Sequence, residues 1–324
     1  MKAIRCKQYG PPSDLVLEEV ESLSAGPKQV LVEVKACGLN FPDTLIIQGL
    51  YQFKPELPFT PGSDIAGVVK AIGKGVSHVQ VGQEVFGFVP YGGLAEEVVV
   101  PANACFPKPP QMDFPTAASF LMAYGTSYHA LKDRGNLKKG ETLLVLGASG
   151  GVGLAAVELG KLMGAKVIAA ASTGEKLAFC QSFGADVTLN YTSQDLKSTL
   201  KELTDGKGVD VVYDPVGGTY SEAALRATAR DGRFLVVGFA AGDIPKIPLN
   251  LPLLKEASIV GVFWGNFAMK DPKANMSNSM QLMKWHAEGK LNPHIHKIYD
   301  LKDTPLALDE MMNRKAMGKL VIQI

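Results

Sequence analysis

The stretch Leu143-Leu-Val-Leu-Gly-Ala-Ser-Gly-Gly-Val-Gly153 decides the fold. Four apolar residues, the pattern of a strand buried on both faces, run into a glycine cluster. Beyond it Val152, Ala155, Leu159 and Met163 recur at helical spacing. Strand, glycine turn and helix together suit a phosphate group. Glycines let the backbone bend sharply and come close, and N–H groups at the helix start point at the oxygens. The small residues Ala155, Ala156 and Gly160 let that helix lie tightly on a sheet. A glycine fingerprint alone is weak evidence, and its first glycine is here Ala148. The strand before it and the helix after it make Ala148, Ser149, Gly150, Gly151, Val152 and Gly153 candidate dinucleotide contacts.

Downstream, apolar runs alternate with amphipathic segments. The pattern predicts strands at 142–146, 167–171, 186–189, 209–213, 234–237 and 258–263. Helices are expected between them at 151–163, 174–183, 193–204 and 220–227. Such alternation implies a parallel sheet covered by helices on both faces. Upstream the texture differs. Short apolar runs at 15–20, 30–34, 65–72, 84–89 and 94–100, separated by turn signals such as Pro90-Tyr-Gly-Gly93, suggest a folded-over sheet or partial barrel. Residues 114–131 read as two helical stretches with Gly125 between them. After Trp264 come helices near 276–286 and 306–314 and a closing strand at 319–324, a tail expected to return to the first domain.

The 324 residues suit two domains, and 46% hydrophobic with 20% charged residues is ordinary for a globular enzyme. With 33 basic against 32 acidic residues, nothing draws the whole chain to nucleic acid or to an anionic membrane. The start, Met1-Lys-Ala-Ile-Arg-Cys6, lacks the apolar core of a signal peptide, so a cytoplasmic location is expected. The charge-free stretch between Glu141 and Glu158 is too short and glycine-rich for a membrane span. Cys6, Cys37, Cys105 and Cys180 are too scattered for a disulfide framework or a cysteine-rich zinc site.

Five ordered segments carry a resemblance: Val34-Lys-Ala-Cys-Gly-Leu-Asn-Phe-Pro-Asp43, Pro61-Gly-Ser-Asp-Ile-Ala-Gly67, Ala148-Ser-Gly-Gly-Val-Gly153, Asp214-Pro-Val-Gly-Gly218 and Gly318-Lys-Leu-Val-Ile322. Over nearly its whole length the chain resembles the medium-chain dehydrogenase/reductase superfamily, in its zinc-free NADPH:quinone oxidoreductase (zeta-crystallin-like) branch. The resemblance implies an α/β protein of two domains. A GroES-like β-rich catalytic domain would comprise residues 1–120 and 266–324. A Rossmann domain, a doubly wound parallel sheet binding NADPH, would comprise 121–265. It also implies a homodimer through the Rossmann edge strand.

Zinc-dependent relatives place a cysteine after a Gly-x pair, where this chain has Asn40 after Gly38-Leu39, and a His-Glu pair where it has Ser63-Asp64. Zinc needs thiolate, imidazole or carboxylate ligands in tetrahedral reach, so a metal-free site is expected. His294-x-His296 reads as a surface feature. Without zinc to polarise an alcohol, the fitting acceptor is already electron-poor: a quinone, or a C=C conjugated to a carbonyl as in an enal, enone or enoyl thioester. A third reading is an NADPH-binding structural or nucleic-acid-associated protein with little turnover.

In the resemblance Asn40 and Tyr51 line the acceptor cleft, Tyr51 either in a substrate role or as an aromatic wedge. Thr126 would face the nicotinamide. Asp43 reads as a structural carboxylate and His129 as a packed helix histidine. Gly238 and Phe239 follow a strand end, where ligands bind in such sheets. Phe263 and Trp264 lie where the resemblance puts a loop against the nicotinamide, or else form dimer core. Lys319 either approaches the cofactor or is a solvated lysine. NADPH is expected over NADH because the strand ending at Ala171 leads into Ser172 and Thr173 with no carboxylate for the ribose hydroxyls. The resemblance places Lys176 and Tyr191 beside the 2′-phosphate.

Overall fold

The computed structural model describes all 324 residues. An antiparallel pair, β1 (Lys2–Arg5) and β2 (Val16–Glu19), precedes β3 (Gln29–Gly38) and α1 (Phe41–Ile47). Then come β4 (Asp64–Ile72), β5 (Glu84–Phe88), β6 (Glu97–Pro101), β7 (Cys105–Pro107), α2 (Phe114–Ala117) and α3 (Leu121–Tyr128). The alternating region holds β8 (Thr142–Leu146), α4 (Gly151–Leu162), β9 (Lys166–Ala171), α5 (Gly174–Ser182) and β10 (Val187–Asn190). It continues with α6 (Leu196–Leu203), β11 (Val209–Asp214), α7 (Thr219–Arg226), β12 (Thr228–Val236), α8 (Asn250–Lys255) and β13 (Ser258–Gly261). The remainder is α9 (Trp264–Lys270), α10 (Pro272–Ala287), β14 (Ile295–Asp300), α11 (Thr304–Met312) and β15 (Lys319–Gln323). No helix is long and apolar enough to cross a membrane.

Two compact units result: Met1–Met122 with Pro293–Ile324, and Ala123–Asn292. The first boundary falls close to the expected one. The second does not, because residues 266–292 stay with the Rossmann unit. Hydrogen bonds explain why. Trp264 Nε1 donates to Asn275, and Asn278 binds both Lys132 and Asp133, so α10 is fastened to its own unit.

In the first unit β3 serves three partners: β4 along its length, β6 over its first half and β15 at its end. Register shifts at Leu31/Val32 and Val34/Ala36 bend this long strand, and the sheet folds over a core that includes Val32, Val34, Ile65 and Val85. The pair His294 and His296, expected on an isolated strand or loop, borders or lies in β14, which pairs in parallel with β15.

The second unit is a parallel sheet in the order β10-β9-β8-β11-β12-β13. The order reverses at β8, the strand before the glycine loop, and ligands of such sheets bind at that switch point. Leu143 to Leu146 are wholly buried, as a strand covered on both faces requires. Gly125 does not separate the helices α2 and α3, since the break between them falls at 118–120. Instead Gly125 makes room for Trp264, whose Cε2 would lie 2.8 Å from a Cβ there.

Candidate functional site

In the second unit the glycine loop has the expected build. Gly147 takes the left-handed φ of +57°, and the loop is held to the next strand by Ala148 N donating to Ala170 O at 3.1 Å. Gly150 caps α4 without a side-chain acceptor, so the N–H groups of Gly151, Val152 and Gly153 open the helix unclaimed by any capping side chain. A Cβ on Gly153 would stand 2.3 Å from Gly147 O and 2.9 Å from Ala148 Cα. The cradle thus exists only because that side chain is missing, and its geometry fits a pyrophosphate.

At the end of β9, Thr173 caps α5 by accepting from Lys176 N, and Ser172 O accepts from the Thr192 hydroxyl. Tyr191 N donates to Ala171 O at 3.2 Å, and its ring leans on Tyr220 with centroids 4.3 Å apart. Ser172, Thr173 and Tyr191 therefore follow neighbouring strand ends, with Lys176 and the exposed Glu175 on the first turn of α5. Gly238 N donates to Asp214 O, and Phe239 lines an apolar cavity of about 220 Å³ with Phe234, Ile244 and Ile259.

The aromatic pair at 263–264 separates. Phe263 is half exposed as the N-cap of α9, while Trp264 is buried against Gly125 and bonded to Asn275. Trp264 is thus packing of the unit itself, on a helix rather than the expected loop. Thr126 is half-buried on α3, beside Ser127, which donates to Val152 O in the first turn of α4 and pairs with the Tyr213 hydroxyl. His129 stacks on Phe267 and bonds Asp133, as a packed histidine does.

In the first unit the positions where the resemblance puts the metal ligands of zinc-dependent relatives hold a hydrogen-bond network. Asn40 Nδ2 donates to Asp64 Oδ2 at 3.1 Å and to Gly38 O at 3.2 Å. Its Oδ1 accepts from Lys319 Nζ at 2.5 Å, and Lys319 also donates to Leu39 O at 2.7 Å. Asp64 Oδ2 stands 3.9 Å from the same ammonium. Lys319 is buried, so it is not a solvated lysine: it donates two hydrogen bonds and pairs with the Asp64 carboxyl. Asn40 has both amide N–H groups engaged, so it positions Lys319 and Asp64 where a donor to the acceptor was expected.

Asp43 accepts from Asn40 N at 2.7 Å, steadying the start of α1. Burial pushes Asp43 up to about 7 and Asp64 up to about 6, each partly restrained by Lys319. Burial likewise lowers the Lys319 ammonium, against the pull of Asp64 and Asp43. Two carboxyls share one cation here, and near neutral pH the group carries a proton part of the time. Asp64 Oδ1 is buried without a hydrogen-bond partner. Tyr51 is half-buried on the core of this unit, and burial and then the charge of Asp43 raise its pKa. His296 pairs with Glu310 at 3.3 Å.

Comparison with known proteins agrees with this build. Residues 26–110 match the family described as alcohol dehydrogenase GroES-like domain, and 151–285 match zinc-binding dehydrogenase. The chain is 41% identical to a quinone oxidoreductase-like protein 2 homolog of Nematostella vectensis, over 99% of this chain and 88% of the relative. It is 33% identical to quinone oxidoreductase of Rattus norvegicus, over 99% of this chain and 97% of that one. The solved structure of Escherichia coli quinone oxidoreductase complexed with NADPH superposes with a TM-score of 0.95 at 29% identity, covering all of both chains. The chain belongs to the medium-chain dehydrogenase/reductase superfamily, in its quinone oxidoreductase-like branch.

Proposed function

We propose that this oxidoreductase reduces a quinone with NADPH and does so without zinc. The observation that carries the proposal is an uncapped, glycine-cradled helix start on one sheet with Tyr191 just past β10 and Lys176 on the helix that follows β9, whose end lacks a carboxylate. NADPH, when bound, supplies a hydride, and one further proton from solvent completes the hydroquinone. The protein's own residues do the rest. The first N–H groups of α4 hold the pyrophosphate, Lys176 and Tyr191 take the 2′-phosphate, and the Tyr51 hydroxyl offers a hydrogen bond to the developing oxyanion.

Lys176→Ala should weaken NADPH about tenfold to a hundredfold, the factor for one charge-assisted hydrogen bond, and leave NADH nearly unchanged. Ser172→Asp should narrow the preference further by repelling the phosphate. Titration calorimetry with both cofactors decides this, and equal losses for NADPH and NADH would refute the assignment.

A panel of 9,10-phenanthrenequinone, 1,4-benzoquinone, 2-alkenals and crotonyl-CoA at matched concentrations tests the acceptor. Quinones should be the fastest, and rates should survive a chelator. Faster alkenal or crotonyl-CoA reduction would favour the conjugated C=C reading. Cofactor binding without turnover would favour the structural one. The donor set supports zinc independence: an amide and an ammonium bonded to that amide stand against Asp64, and neither is a zinc ligand. One zinc per chain that is required for turnover would end that claim.

A further inference from the structure

The chain passes between its two units twice, at Met122–Ala123 within α3 and at Asn292–Pro293. Both passages are tied to one buried side chain. Glu158, on α4, accepts from the Tyr124 hydroxyl through Oε2 at 2.5 Å and from Asn292 N through Oε1 at 2.9 Å. Tyr124 is the second residue of the Rossmann unit and Asn292 its last. Glu158 and Tyr124 are both buried, where an apolar pair of similar volume would serve packing at least as well. A carboxylate does one thing such a pair cannot: its two oxygens hold two separate segments at once. The helix that carries it is the one whose first turn forms the pyrophosphate cradle, and Ser127 fastens α3 to that first turn at Val152 O.

We propose that Glu158 is a positioning residue for hydride transfer, pinning the first and the last segment of the Rossmann unit to the cofactor-binding helix. This rests on the reductase reading given above. Glu158 lies beyond the first turn of α4, which forms the cradle. Its loss would leave the cradle intact and loosen only the pivots.

The test uses the full-length protein with Glu158→Leu, which removes both acceptor oxygens, and, as a milder variant that keeps the ring volume, Tyr124→Phe. Amide hydrogen exchange is followed by mass spectrometry alongside NADPH affinity and kcat with a quinone. Glu158→Leu should speed exchange about tenfold to a hundredfold at both crossings, the factor for losing a hydrogen bond to a charged group. Tyr124→Phe should speed it at residues 122–126 alone. In both variants kcat should fall at least fivefold while the NADPH dissociation constant stays within about twofold. Unchanged exchange at the crossings, or NADPH affinity falling in step with kcat, overturns the proposal. A wild-type protein that reduces nothing in the panel would instead remove the reductase reading, and the exchange arm would still judge the clamp.

Discussion

Lys319→Met should destabilise the protein by about 3–5 kcal/mol at pH 8 and by clearly less at pH 5, because it strips the cation from two buried carboxyls. Lys319 donates to Leu39 O and Asn40 Oδ1 and stands 3.9 Å from Asp64. Burial holds Asp43 at about 7 and Asp64 at about 6, both above the ordinary 3.8. The native state therefore binds protons more tightly than the unfolded chain between those values, and stability falls as pH rises through that window. Lys319 limits the fall. Without it both carboxyls titrate higher still, so the folded state must either carry protons at pH 8 or bury unpaired charge. At pH 5 both are mostly protonated, and only the lost lysine hydrogen bonds remain as a cost. Urea midpoints read by far-UV circular dichroism at the two pH values check this. Both tryptophans, Trp264 and Trp285, lie in the other unit, so their fluorescence is the wrong probe. A loss of equal size at pH 5 and pH 8 would show that the lysine serves packing and not charge compensation.

The same cluster shows where reading the sequence reached its limit. Lys319 and Asn40 are 279 residues apart, and no local pattern tells that a lysine after Gly318 turns inward to an asparagine at the start of α1. A lysine opening a strand is ordinarily solvated, and only the closing strand's pairing with β3 brings it under that helix. Trp264 misled for a related reason. An aromatic pair after a strand reads equally as ligand wall or packing, and the deciding fact is Gly125, far away in sequence, with its missing side chain. The second domain boundary failed because α10 is polar along much of its length. Its attachment runs partly through Asn275 and Asn278, which carry no hydrophobic period, beside the packing of Leu282 and Trp285.

What was legible was built locally. The central parallel strands β8, β9 and β11 are buried on both faces and so read as apolar runs, and β8 ends where its run does. The phosphate cradle is made of backbone within residues 147–153, and the Lys176 and Tyr191 region follows one and two strands later. The glycine cradle is thus a property of consecutive residues. The Lys319 cluster is a property of side chains from α1, β4 and β15, assembled by the sheet. That division also explains why the resemblance named Asn40 as a site position while missing what its amide does.

Gly153→Ala should abolish useful binding of both dinucleotides, with NADPH and NADH weakened alike by at least about a hundredfold. The Cβ would meet Gly147 O at 2.3 Å and Ala148 Cα at 2.9 Å, and both are backbone atoms of the loop itself. No rotamer change relieves such a contact, so the loop and the start of α4 must move apart by roughly an ångström to restore ordinary separation. The N–H groups of residues 151–153 then no longer converge on one anion, and these groups are common to the recognition of both cofactors. The contrast with Lys176→Ala is informative. That substitution removes a contact to the 2′-phosphate alone and should spare NADH. Gly174→Ala is the matching control, since a Cβ there meets nothing within 4 Å at the neighbouring helix start. Calorimetric titration of the three variants with each cofactor separates the cases. A Gly153→Ala protein that still binds NADPH within about threefold of wild type would mean that the glycine loop does not carry the pyrophosphate.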